Sequence, residues 1–133
     1  ALIGAGLCGR GQLNAQAGPG LECIEQMTLP VYAGLVWQAQ VVGVATVRLV
    51  VSWDGSASEV TIESPHKTLT AWVAGALRSA RFRRECKGQA VVLTFKYSLQ
   101  GEKRAAPDNQ ITVRHPGIVE IRAHPPVLRE TVD

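Results

Sequence analysis

The residues able to do chemistry in this chain are three cysteines, three histidines and a scatter of carboxylates. The cysteines are Cys8, Cys23 and Cys86. No CxxC pair occurs and no histidine stands at metal-ligand spacing from a cysteine, which argues against zinc. A bridge between Cys23 and Cys86 is expected, stapling the N-terminal stretch to the core; two unpaired buried thiols are the alternative. Cys8 is then the odd one, a candidate for an intermolecular bond or a free thiol. His66, His115 and His124 each adjoin a proline, a context that reads as turn chemistry rather than catalysis. Serine, histidine and aspartate all occur, but no G-x-S-x-G context places them together. Glu59 and Glu63 fall on one face of a strand, and Arg48 and Lys96 belong to other strands. Cross-strand ion pairs are expected there, not an acid/base couple. No enzyme active site, cofactor or metal is expected.

A basic cluster, Arg78, Arg81, Arg83, Arg84 and Lys87, crowds the end of the second helix. It complements the helix dipole, or binds an anion, a lipid headgroup or peptidoglycan. Net charge is only +3, too small a surplus for a nucleic-acid footprint. With 133 residues, 46% of them hydrophobic, the chain can bury a core of its own. No stretch reaches the ~18–20 apolar residues of a membrane span.

Ala1 to Gly9 is apolar and rich in small residues, and Ala15-Gln16-Ala17 has the form of a signal-peptidase site. Whether this arm is a removed signal or a retained linker, the chain is expected outside the cytoplasm, in keeping with the disulfide. Residues 1–28 form the arm or signal segment, 29–100 the core domain, and 101–133 a loop, hairpin and tail.

Positioning elements follow from periodicity. Tyr32, Leu35, Val36 and Ala39 fall on one side of a helix over 32–41, led by Pro30 and ended by Gly43. Ala45, Val47, Leu49, Val51 and Trp53 alternate along a half-buried strand that runs into the hairpin signal Asp54-Gly55. The return strand, 57–64, turns Val60 and Ile62 inward. Thr68 caps a second helix whose core stripe is Leu69, Trp72, Val73, Ala76, Leu77 and Ala80. Gln89 to Leu99 is a strand with Val91, Leu93, Phe95, Tyr97 and Leu99 facing in. Ile111–Arg114 and Ile118–Ala123 suit a hairpin across His115-Pro116-Gly117. Trp37 and Trp72 read as core, and Trp53 as partly exposed. The fold class expected is α+β, an α-β-β-α-β order giving a three-stranded antiparallel sheet with two helices on one face, plus the N-terminal arm and a separate C-terminal β-hairpin.

This pattern resembles the C-terminal domain of the TonB family. The resemblance rests on the run from Tyr32 to Gly43, on the strand into Asp54-Gly55, on Leu77-Arg78-Ser79-Ala80-Arg81-Phe82 and on the Val91–Leu99 strand. It departs where Ala33 stands for the family's Pro and Ala80 for its Trp. These residues carry no counterpart of the family's membrane anchor and Pro-rich spacer. The resemblance therefore implies a fold and a binding mode, not energy transduction. That mode is strand addition of an extended segment to a sheet edge. It makes Val91, Leu93, Phe95, Tyr97 and Leu99 the partner-strand edge, with Lys96 as a guard against indiscriminate pairing.

The function expected is a non-enzymatic, exported interaction or structural module. It assembles with copies of itself, in the manner of a filament, through strand addition by the N-terminal arm or the tail. The alternative is a periplasmic adaptor that binds an extended peptide or receptor segment. No nucleic-acid partner is expected.

Overall fold

The computed structural model describes residues 20–127. In chain order these hold β1 (Ile24–Gln26), α1 (Gly34–Gln38), β2 (Gly43–Val51), β3 (Ala57–Glu63), α2 (Lys67–Arg78), β4 (Arg81–Phe82), β5 (Ala90–Leu99), β6 (Gln110–Arg114) and β7 (Ile118–Ala123). Short 3-10 turns at Leu21–Cys23 and Arg84–Cys86 flank the small pairings.

The main sheet has five strands in the order β3-β2-β5-β7-β6, and β1 pairs with β4 as a separate two-stranded ribbon. This corrects the expected three-stranded antiparallel sheet with its hairpin set apart. The hairpin is inserted into the sheet: β7 runs parallel to β5, from Thr94 opposite Ile118 to Leu99 opposite Ala123. The cause lies in the burial of β7. Val119, Ile121 and Ala123 alternate inward and are almost fully buried. A two-stranded hairpin has no interior in which to hide such a row, so it joins a larger sheet. Gly117 makes the junction possible, because its backbone lies against the Val92 carbonyl with no room for a side chain.

Ala45, Val47, Leu49 and Val51 of β2 and Val91, Leu93, Phe95 and Tyr97 of β5 share the core face with β7. Leu69, Val73 and Leu77 of α2 pack into the same core. The opposite face carries Arg48, Lys96 and Arg122, all exposed.

The first helix is shorter than its periodicity suggests. It spans five residues and closes with a Schellman-type cap: Val41 N–H donates to Val36 O at 3.1 Å and Gln40 N–H to Trp37 O at 2.9 Å. Gln40, in left-handed conformation at φ 54°, ends it. Tyr32 lies ahead of the helix, and Leu35, expected inside, is 70% exposed. At the second helix the N-cap is His66, without a side-chain cap, instead of Thr68. Trp53 does not continue the inward row of β2 but is 82% exposed in the turn. Asp54 accepts hydrogen bonds from Ser52 Oγ at 2.6 Å and Ser56 Oγ at 2.7 Å, folding the turn at Ser52. These bonds, Ser52 first, hold the Asp54 carboxyl well below the usual carboxylate range.

Two sets of long-range ties hold the chain together. Cys23 and Cys86 form the expected disulfide, with Cα atoms 5.9 Å apart; Arg83 N–H donates to Cys23 O at 2.7 Å beside it. Over the sheet, Tyr97 Oη donates to Pro30 O and Tyr32 Oη to Val41 O, both at 2.6 Å. The two rings meet edge to face with centroids 5.4 Å apart.

Reduction of Cys23–Cys86, or its replacement by serines, should lower stability by about 2–4 kcal/mol, because the bond closes a loop of 63 residues. Urea unfolding with and without reductant reads this directly. Burial raises the Tyr97 hydroxyl pKa well above its ordinary 10. The folded chain thus keeps a proton that the unfolded chain gives up. Its contribution is complete below about pH 10 and is lost as pH rises further. Tyr97→Phe should cost about 1–3 kcal/mol at neutral pH by orphaning Pro30 O, and should flatten the alkaline fall of the urea midpoint.

Candidate functional site

Sheet edges are where this architecture leaves main-chain groups free, and the two outer strands differ in how they are finished. β3 is irregular: the register slips between Arg48 and Val50 of its neighbour, and Glu59 takes a left-handed φ of 50°. A bulge of this kind bends the edge, and Glu59 and Glu63 add exposed charge to it.

β6 has no bulge, and its one charged residue, Arg114, stands at its end. Its register against β7 is unbroken, from Gln110 opposite Arg122 to Arg114 opposite Ile118. No strand among the described residues pairs with its outer side. Ile111 and Val113 lie opposite Ile121 and Val119 and so face the core side. Their neighbours on β7 are fully buried, yet Ile111 is 41% and Val113 48% exposed. Just before β6, the Asn109 side chain binds the Tyr32 backbone twice: Tyr32 N–H donates to Oδ1 at 2.9 Å and Nδ2 donates to Tyr32 O at 3.0 Å. The apolar face thus runs past its roof onto an open edge. On the other face, Arg114 is held by Glu120 at 3.4 Å. A polar cleft of about 280 Å³ opens at the Gln110 end, lined by Asp108, Arg122 and His124 among others.

The strand expected to offer the partner edge is not at an edge. Val91, Leu93, Phe95, Tyr97 and Leu99 belong to the central strand, paired with β2 on one side and β7 on the other. No edge is free there, because the inserted hairpin occupies it. Periodicity at Ile111, Thr112 and Val113 identified the strand of β6; what it could not show was which strand stands outermost.

The basic residues serve separate local contacts. Arg83 Nε donates to Glu22 O at 2.9 Å, and Lys87 Nζ stands 4.0 Å above the Trp53 ring. Arg84 shares a pocket of about 170 Å³ with Trp53 and two carboxylates, Glu25 and Asp54. Arg78 borders a different one beside Val60 and Leu77, and Arg81 lies on β4 opposite Gln26. The carboxylates beside Arg84 make that pocket a poor anion cradle. The cross-strand ion pairs are corrected too. Arg48 stands opposite Thr61 and Glu63 opposite Thr46, while Lys96 faces Val44. Ion pairs among the described residues are Arg104–Glu102, Arg104–Asp108 and Arg114–Glu120.

The three histidines lie at separate places: His66 caps α2, His115 precedes a cis proline in the β6–β7 turn, and His124 Nδ1 lies 3.0 Å from Glu102 O. No group of three His, Cys, Asp or Glu able to hold a metal occurs among the described residues. Cys8 and the apolar arm lie outside the described residues.

Comparison with family models, with curated proteins and with solved structures finds no match to this chain. The open edge of β6 is therefore read on its own physics.

Ile111→Lys and Val113→Lys should leave folding stability within about 0.5 kcal/mol of the unsubstituted chain, because both sites are open to water. Ile121→Lys, one strand inward, should cost more than about 3 kcal/mol by burying an unpaired charge. Urea titrations of the three variants check the contrast.

Proposed function

We propose that this protein is a non-enzymatic interaction module that works by strand addition, the outer edge of β6 taking an extended segment through which copies of the chain assemble. One observation carries this reading: β6 combines an unbulged main-chain edge, unpaired among the described residues, with exposed Ile111 and Val113. An added strand supplies hydrogen bonds to the free backbone groups, and its alternate side chains cover the two apolar residues. Of the two segments the sequence offers for assembly, the tail supports this reading better, since its first strand is an outer strand of the sheet.

The compartment follows from the covalent chemistry. A buried Cys23–Cys86 bond fits an oxidising environment. Among the described residues no helix is long and apolar enough to cross a membrane. The module is read as exported.

The adaptor reading uses the same edge with a different donor, an extended segment of another protein. Its motivation is the α1-β2-β3-α2-β4-β5 succession within Gly34–Leu99, which, apart from the two-residue β4, is the order on which the TonB-like resemblance rests.

Sedimentation velocity over a concentration series separates the two. The unsubstituted chain should associate reversibly, and the Ile111→Lys/Val113→Lys double variant should stay monomeric with an unchanged far-ultraviolet spectrum. If both remain monomeric, self-assembly is ruled out. Binding of extended peptides, lost in the double variant, would then identify the adaptor.

A further inference from the structure

The outer edge of β6 reads almost the same in both directions about its centre: Gln110, Ile111, Thr112, Val113, Arg114. We infer that the partner on this edge is β6 of a second copy, paired antiparallel about a twofold axis at Thr112, which closes a dimer and joins two five-stranded sheets into one. This inference rests on the strand-addition reading and names its donor.

The register follows from geometry. Residues opposite each other in an antiparallel pair point to the same face of the sheet. A twofold axis normal to the sheet keeps each copy's faces on the same side. Opposed residues must then have the same parity along the strand, so the axis passes through a residue pair and never between residues. Centring it on Thr112 is the choice that uses the whole of Gln110–Arg114. Ile111 then stands opposite the partner's Val113, and Val113 opposite the partner's Ile111.

The chemistry of each opposed pair is favourable. On the core side, the exposed Ile111 and Val113 cover each other, and the buried row of Ile121 and Val119 continues from one copy into the next. On the other side, Thr112 meets its own equivalent, a good cross-strand pair. Arg114 meets Gln110, so no like charges oppose, and Arg114 is already neutralised by Glu120. The bulged, acidic edge of β3 offers nothing similar. A strand pair this short buries less than the roughly 1,200–2,000 Å² of a stable complex. The dimer is therefore reversible and depends on concentration. Because the contact is isologous, it stops at two copies.

The test is a register-specific charge exchange in the full chain, followed by sedimentation equilibrium. Ile111→Lys and Val113→Glu should each abolish the dimer alone. Mixed together they should restore it, since the introduced lysine faces the introduced glutamate across the axis while the other two opposed residues remain Val113 and Ile111. A mixture of Ile111→Lys with Ile111→Glu should restore nothing, because position 111 does not oppose itself. Restoration in the first mixture only, with assembly stopping at the dimer, supports the inference. Association that is lost in the single variants but unrestored by mixing, or that grows beyond two copies, overturns the twofold and leaves β6 accepting another segment, such as the N-terminal arm. A chain that is monomeric throughout overturns the twofold and self-assembly together.

Discussion

The stretch from Met27 to Val41 has little regular structure of its own, and the rest of the molecule depends on how it is held down. Its one helix has five residues, far below the length at which an isolated helix is stable in water. It is fixed instead by hydrogen bonds that reach across the chain. Trp37 Nε1 donates to His124 O at 2.6 Å, Trp72 Nε1 to Val31 O at 3.0 Å, and Asn109 clasps the Tyr32 backbone. Polar groups that such a segment buries must find partners, and here they find them at the sheet, on α2 and in the loop before β6. The cover over the core is thus tied down by side chains, Asn109 beside β6 among them.

The cover on the core face reaches β7 and thins over β6. Inside it, Val119 and Ile121 are wholly buried; one strand further out, Ile111 and Val113 are half open. The same β-branched residue types are packed in one strand and half open in the next, and only the reach of the cover distinguishes them. The opposite edge makes the contrast plain. β3 is bent by its bulge at Glu59 and lined with acid, which discourages pairing, whereas β6 is straight, regular and nearly uncharged on its apolar side.

The disulfide acts at the other end of the sheet. With the β1–β4 ribbon it ties residues 20–26 to the segment after α2. Gly55 shares in this junction: its carbonyl accepts from Phe82 N–H at 2.7 Å, and a side chain on it would meet Phe82 O at 3.1 Å. The β2–β3 turn, the N-terminal segment and the exit from α2 therefore form one locked corner, remote from the Gln110 end of β6.

Much of this was legible in the residues themselves. Period-two alternation located β2, β5 and β7, the 3.6-residue stripe located α2, and Asp54-Gly55 located a hairpin, because each is a local pattern imposed by one buried face. The Cys23–Cys86 bond could be expected from the places of the two cysteines, one just before the core and one after the second helix. What the sequence could not show was the place of each strand in the sheet. Strand order is settled by which faces can be covered together, and that depends on contacts between residues 77 to 87 positions apart, such as Tyr32 with Asn109 and Trp37 with His124. For that reason the strand expected at the edge became the centre, a hairpin expected to stand apart became the edge, and Ile111 and Val113 were left half open on it. Local sequence determined the elements; the tertiary competition to bury Val119 and Ile121 decided which strand was left open.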